Sequence, residues 1–576
     1  MNVESVHKYV IDRILELLNK ATLDSYRVRN HNVFTSLRET RDIIKRSGEM
    51  KVKTFETVKM LSQETIDLLR KDNCLQFKSY SRVLLVSEIE EFLRSNADKL
   101  PNKLPDVQRV LFCLEKCIEE NKESYLSALY SGLDALLSIT STVPEDKMIE
   151  HVGALDSVLS ALCVQLISEG YDKRFLYLQL KHRSSISFEE FLNTLKGFGK
   201  KKKRQFQVIW RLNNIDGKQE EITTLGFQTE VSSEPITDYA RENYKKMISS
   251  GKSVYFFQDR VQALDMYSAV RISREKLMQR FDCIHLGCYS KKLSMPPSAL
   301  VLEKRNAGWF ALPCVADYFL DGAFAEDYTL SSRLISSVEK IYNSRSIDLS
   351  ATDRIKSAIR HLNYGDLDSE IEQRFINYWI ALEFIFASPH TSENTFTRLK
   401  SYLIDILAVS YVKRNVGYLN DKLIEASIIS ETDDIWQSVD ALDAVANRSD
   451  IPLIWKYKLK KMKSRLYINS EKRKIYYNNH ITNLERHIVR IYNLRNVLVH
   501  EGAIKQDVED LASNLRYYLV FLIDQMLAYF TSRTELKDHK FQIDDFFNEY
   551  RSYRKFIEAD FNLSSLLSIP IRNDLW

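Results

Sequence analysis

Ile481-Thr482-Asn483-Leu484-Glu485-Arg486-His487-Ile488-Val489-Arg490-Ile491-Tyr492-Asn493-Leu494-Arg495-Asn496-Val497-Leu498-Val499-His500 is the most informative stretch of the chain. Leu484, Ile488, Ile491, Leu494 and Leu498 recur at three- and four-residue spacing, the period of one helix face at about 100° per residue. Arg495 falls inside that apolar arc, where an aliphatic residue is expected. A guanidinium buried there unpaired is costly, so it has to find an anion or a partner subunit. His500 stands at the expected helix end, just before Gly502, a C-terminal stop. Arg495 and His500 together supply a phosphate clamp and an imidazole, the side-chain type that exchanges protons near neutral pH. The competing reading of the same residues is a structural arginine passing the stripe, followed by a helix-ending histidine.

The surrounding composition suits long helices. Glycine supplies 15 and proline 10 of 576 residues, well below the usual shares of about 7% and 5%. Few turn-formers with 28% charged residues exclude an all-β barrel, a collagen-like repeat and a disulfide-knit miniprotein. The length allows about three or four domains. The charge balance, 82 − 78 = +4, is too even for a chain coated in basic arms, so any nucleic-acid contact needs a local patch. Seven cysteines, an odd and scattered set, fit a reducing compartment. Met1 to Asp12 carries Glu4, Lys8 and Asp12 and lacks the apolar core of a signal peptide. Tyr517 to Phe530 is apolar but holds Asp524 and is too short to span a bilayer. The expectation is a soluble cytoplasmic protein with no membrane partner.

Along the chain, the pattern predicts a mainly α, multidomain protein. Residues 1–198 read as a helical N-terminal domain, and no fixed-period repeat marks a solenoid. Gly197-Phe198-Gly199 followed by Lys200 to Arg204 reads as a flexible basic joint. Residues 205–325 read as a small α/β or α+β unit. Its strand candidates are Phe206–Trp210, Glu221–Val231, Val254–Phe257, Cys283–Leu286 and Ala299–Leu302, with a hairpin turn at Asn213–Gly217 and a helix from about Val261 to Phe281. Residues 330–534 return to helices, and 535–576 read as a helical tail.

Three further patterns bear on chemistry. Gly251-Lys252-Ser253 resembles the end of a phosphate-binding loop, but Lys246 stands where its first glycine is needed and a strand follows instead of a helix, so it is rejected. Cys283, His285 and Cys288, with Cys314 beyond, offer soft ligands without the paired spacings of structural zinc, so no metal site is assigned there. Lys456 to Lys474 holds nine basic residues and one acid among Tyr457, Leu459, Met462, Leu466 and Tyr467. Lys456, Lys458, Lys460, Lys461, Lys463 and Arg465 are the kind of set that tracks an RNA backbone, and equally the kind that solvates a helix face.

Arg495-Asn496 followed by four residues ending in His500 resembles the Arg-x(4–6)-His signature of HEPN domains. Glu372-Gln373-Arg374-Phe375-Ile376-Asn377-Tyr378-Trp379-Ile380-Ala381-Leu382-Glu383 looks like the first long helix of an Apea-like HEPN domain. Val508, Leu511, Leu515, Leu519, Leu522, Met526 and Phe530 resemble the helix after the motif. The resemblance covers about residues 366–532, and the roughly 95 residues from Phe386 to Ile481 exceed what a minimal HEPN bundle needs. It implies a helical bundle that pairs with a second copy, so that two Arg-x(4)-His motifs form one ribonuclease site acting through the ribose 2′-hydroxyl with no cofactor. It also implies roles: Arg495 on the phosphate, His500 in proton transfer, Asn496 orienting the phosphate or the imidazole, and Glu383 orienting Arg495. Chains of this layout resemble bacterial anti-phage or abortive-infection effectors, with a phage-derived trigger acting through the N-terminal part. The alternatives are a non-catalytic HEPN module that binds nucleotide or RNA for a partner protein, and a helical assembly protein.

Overall fold

The computed structural model describes residues 3–20, 31–49, 52, 55–96, 104–144, 147–200, 202–212, 219–231, 241–242, 245–247, 255–287, 293–305, 308–318, 320, 328–387, 393–501, 508–536 and 539–571. The fold is mainly helical, with a small antiparallel sheet in the middle of the chain. Its contacts define two units, Leu162–Phe319, and Met1–Ala161 together with Leu320–Trp576. The middle unit therefore begins at 162 rather than near the sequence-drawn 198–205, while its end at 319 lies close to the drawn 325. The first 161 residues fold into the unit that contains the motif helix.

In the middle unit the strands are β1 Arg204–Leu212, β2 Tyr255–Ala263, β3 Ser298–Arg305 and β4 Gly308–Val315. They run antiparallel in the order β2-β1-β3-β4. Strand alternation sends Trp210 to the face covered by the helix Met266–Gly287, where its indole N–H donates to Ser273 Oγ at 2.9 Å. Ile209 points the other way, into a cluster with Phe256, Leu300, Leu302 and Ala311.

Several sequence expectations fail in this unit. The hairpin is absent, because β1 pairs with β2 and β3, and Gln219–Thr224 is a helix. Glu220 and Glu221 suit its first turn, and Gly226 at φ +81° lets the chain turn away. The hairpin's turn residues 213–217 lie outside the described residues. Cys283–Leu286 is not a strand but the end of Met266–Gly287, because Leu277, Phe281 and Ile284 continue a buried helical stripe. The foreseen helix start at Val261 belongs to β2. The glycine pair near 198 is no joint between units: Phe198 is buried, its ring 5.3 Å from Tyr171, at the end of the helix Phe188–Phe198.

The other unit is built around the helix Val508–Thr531, which is buried on nearly every side and carries Leu515, Leu519, Leu522, Met526 and Phe530. The helices Leu349–Leu367 and Ile371–Phe386 pack against it and against each other. Gly365 makes that approach possible, since a Cβ there would lie 2.7 Å from Tyr378 Cδ1. Tyr378 donates to Asp366 Oδ1 at 2.7 Å, and Arg516 grips both oxygens of Asp366 at 2.7 and 2.8 Å. The segment after 534 is helical, as read from the sequence, and it is packed. Helix Ile543–Asp560 packs on Thr395–Glu425, with Phe547 stacked on Phe386 and Tyr402.

The motif helix Ser470–Glu501 contains neither glycine nor proline. Leu484, Ile488, Ile491 and Leu494 are buried as the spacing predicts, but the stripe ends on Val497, and Leu498 is half-buried. A second face is buried as well. Arg490 meets Glu39 at 2.9 Å on the helix Val33–Gly48 and Glu64 on Phe55–Lys71, while Arg486 pairs with Asp67 at 2.6 Å. Arg46 adds a 3.0 Å bond to Asn493. Burial disfavours the Arg490 charge, and the two carboxylates more than offset it, so the guanidinium holds its proton more tightly than usual. Arg490→Ala strands Glu64 and is expected to lower unfolding free energy by about 3–5 kcal/mol in urea titrations. A loss below about 1 kcal/mol would show that the cluster is not what joins these helices.

Candidate functional site

Arg495 sits where the motif helix crosses Ile371–Phe386. Its Nη2 lies 3.5 Å from Glu383 Oε1, and its Nη1 lies 3.4 Å from Asn496 Oδ1. Both contacts are long, so the guanidinium is oriented rather than clamped. Its Nε is buried and has no hydrogen-bond partner among the described residues. That Nε is out of an anion's reach, as are those of Arg398 and Arg414, so any donor capacity for an incoming anion lies on Nη1 and Nη2, whose contacts are long, on a side chain 24% exposed.

Glu383 is held in turn. The same Oε1 accepts the indole N–H of buried Trp379 at 2.6 Å, one turn earlier on the helix. The Trp379 ring stands 5.8 Å from Tyr492, which stacks on Phe396 at 3.7 Å. An aromatic floor therefore fixes a carboxylate, and the carboxylate orients an arginine. Sequence reading named Glu383 for this task but missed Trp379, although Trp and Glu four residues apart on one helix are the detectable signal.

His500 is exposed near the end of the motif helix. Positions five apart on an α-helix lie about 140° apart around the axis and about 7.5 Å along it. Arg495 accordingly faces the bundle, whereas His500 shares a helix side with Asn496, four residues away. The structure brings Arg495, Asn496 and Glu383 together and leaves His500 on an adjoining surface. Val499 beside it is 50% exposed, as are Phe384 at 41% and Tyr364 at 50%. The His361 ring stacks on Phe384 at 5.3 Å, which makes a small apolar patch next to Glu383.

The basic segment occupies the helix Leu453–Leu466 and the start of the motif helix. Lys458 pairs with Glu16 of Val3–Leu18, and Lys463 with Asp443 of Val439–Ala446. Lys461 reaches Asp156 of Met148–Ser168 at 3.1 Å, where Arg13 binds the other oxygen at 2.6 Å. Burial works against the Asp156 charge, yet Arg13 and Lys461 together hold its carboxyl below the usual range. Three of the six proposed RNA-tracking cations are thus neutralised internally. Lys456, Lys460 and Arg465 make no ion pair with the described residues.

For the soft-ligand group, Cys283 is exposed, Cys314 is buried, and Cys288 lies outside the described residues, as does Gly251-Lys252-Ser253. Among the described residues, no three His, Cys, Asp or Glu side chains are grouped to hold a metal ion. One described helix, Met148–Ser168, is long and apolar enough to cross a membrane. Half of that window is buried inside the protein, and the helix carries Asp156 with its two cations. Comparison of the chain with protein-family models, curated proteins and solved structures returned no match.

These contacts separate a structural lysine from an RNA-binding one. Lys458→Ala removes a charged partner from Glu16 and is expected to cost about 1–3 kcal/mol of stability. A melting curve superimposable on that of the wild type would assign Lys458 to solvent or ligand instead.

Proposed function

We propose that the chain is a metal-independent endoribonuclease of the HEPN type, working as a pair of chains through Arg495 and His500. The observation that carries the reading is the half-buried Arg495, oriented by the Trp379–Glu383 relay through contacts long enough to leave its terminal N–H groups available, five positions before an exposed His500. A purely structural arginine in an apolar groove would normally spend its donors on protein acceptors. Here two long contacts leave the group poised for an anion.

In this reaction the ribose 2′-hydroxyl attacks the adjacent phosphorus. Its proton passes to one imidazole, the bond to the 5′-oxygen breaks, and that oxygen takes a proton from a second imidazole. The products are a 2′,3′-cyclic phosphate and a 5′-hydroxyl. Arg495 bears the charge that develops on the phosphoryl oxygens, the task of a preorganised cation. Asn496, on the His500 side of the helix, orients the phosphate or the imidazole. Two histidines are needed and each chain supplies one, which is why the working unit is a pair. The divergent directions of Arg495 and His500 fit the same arrangement, because a partner can fill the gap between them. The exposed Phe384, Tyr364 and Val499 give such a partner an apolar surface beside the site. In this reading the helices of residues 1–161 restrain or release the motif helix, a role supported by their ion pairs with Arg490 and Arg486. This suits an anti-phage effector answering a phage-derived trigger.

Purified protein is expected to cut total RNA in excess EDTA and to leave cyclic phosphate ends, read by end-specific ligation or mass spectrometry. Products with 3′-hydroxyl ends would overturn the mechanism. Light scattering at the assay concentration is expected to show a dimer or larger assembly. Full activity in a strictly monomeric sample would remove the pairing from the account.

A further inference from the structure

Away from Arg495, the first turns of the motif helix, the end of Leu453–Leu466 and Tyr411 of Thr395–Glu425 surround a cleft of about 440 Å³. Its cationic wall is Arg465 and Lys472, and Asn479 and Asn483 present amides from one helix face four residues apart. The aromatic wall is Tyr411, whose ring stacks on His480 with centroids 3.4 Å apart and planes within 6°. No aspartate or glutamate lines the cleft.

The charge pattern sets this cleft apart from the paired lysines of the basic segment. Lys458, Lys461 and Lys463 each meet a carboxylate of the same chain. Arg465 instead lies with its guanidinium 4.6 Å over the Tyr476 ring, which positions the cation without neutralising it. Neither Arg465 nor Lys472 makes an ion pair with the described residues, and the Asn479 and Asn483 amides make no side-chain hydrogen bond among them. Uncommitted cations, amide donors and acceptors, and an aromatic surface are what recognition of a nucleotide calls for: charge for the phosphate, amides for the base edge, a ring for the base face. The volume falls in the range of about 300–1,000 Å³ typical of small-ligand sites.

We propose that this cleft binds a ribonucleotide, with its phosphate on Arg465 and Lys472 and its base against Tyr411 and the two asparagines. The nucleotide is either a free nucleoside phosphate or one unit of an RNA strand. Arg465 and Tyr476 also line a narrower cavity of about 70 Å³ that includes Arg13 and Asp156, so the ligand sits next to the junction with the N-terminal helices. The proposal stands apart from the cleavage chemistry, because it uses none of the residues assigned to it.

The test uses the full-length chain and two fluorescent probes, an N-methylanthraniloyl ATP and a short 2′-O-methyl oligoadenylate that 2′-hydroxyl chemistry cannot cut. Arg465→Gln and Lys472→Gln are each expected to weaken binding about 10-fold, the value of one charge-assisted contact. Lys472 is exposed, so its variant should melt like the wild type and keep the test readable if Arg465→Gln is unstable. ATP binding that both variants weaken marks a free-nucleotide site. Oligoadenylate binding alone, weakened the same way, marks a strand contact. Failure of both probes to bind, or binding indifferent to both substitutions, would overturn the proposal whatever the outcome of the cleavage assay.

Discussion

A guanidinium buried between two carboxylates holds this protein's larger unit together. Arg490 is 5% exposed, and its partners Glu39 and Glu64 come from helices more than four hundred residues away in sequence. Such a charge is tolerated only where its partners are fixed, so the cluster dictates how the N-terminal helices meet the motif helix. Arg486 with Asp67, and Lys458 and Lys461 with Glu16 and Asp156, repeat the device along the same seam. The N-terminal helices are thereby joined to the helix that carries Arg495. Arg490 stands five residues before Arg495 on that helix, within two turns of it.

The site itself depends on a shorter chain of contacts. Trp379 fixes Glu383, and Glu383 orients Arg495 through a long contact that does not clamp its terminal N–H groups. A tighter, bidentate pair would have been more stable and less available to an anion. The cleft near Arg465 follows the same logic by a different route, since a cation placed over a ring is positioned while remaining unpaired. In both places an arginine is positioned without being clamped, whereas Lys458, Lys461 and Lys463 of the basic segment are bound to carboxylates.

Much of this was legible in the sequence, where periodicity reports local burial. The buried face of Leu484, Ile488, Ile491 and Leu494, the anomalous Arg495 and the helical character of both ends follow from spacing alone. β1 was legible as a β-branched and aromatic run, and β3 as a short apolar one. What escaped was decided by distant partners. Glu221–Val231 and Cys283–Leu286 look like strands in isolation, but first-turn charge puts Glu221–Thr224 in a helix that a turn at Gly226 ends, and a continuing buried stripe makes Cys283–Leu286 helical. The basic segment reads as a single surface, yet Glu16, Asp156 and Asp443 divide it into structural lysines and an uncommitted Arg465. No local pattern announces that division, nor that residues 1–161 pack with the C-terminal helices.

The central claim is that Arg495 and His500 do chemistry on RNA instead of ending a helix. The most direct measurement compares cleavage of total RNA by the purified wild-type protein and by His500→Ala, with the fold of each checked by circular dichroism. Loss of a proton-transfer group predicts a fall in rate on the order of 100-fold or more, with helical content unchanged. Equal cleavage by the two proteins would contradict the account and return His500 to a structural role.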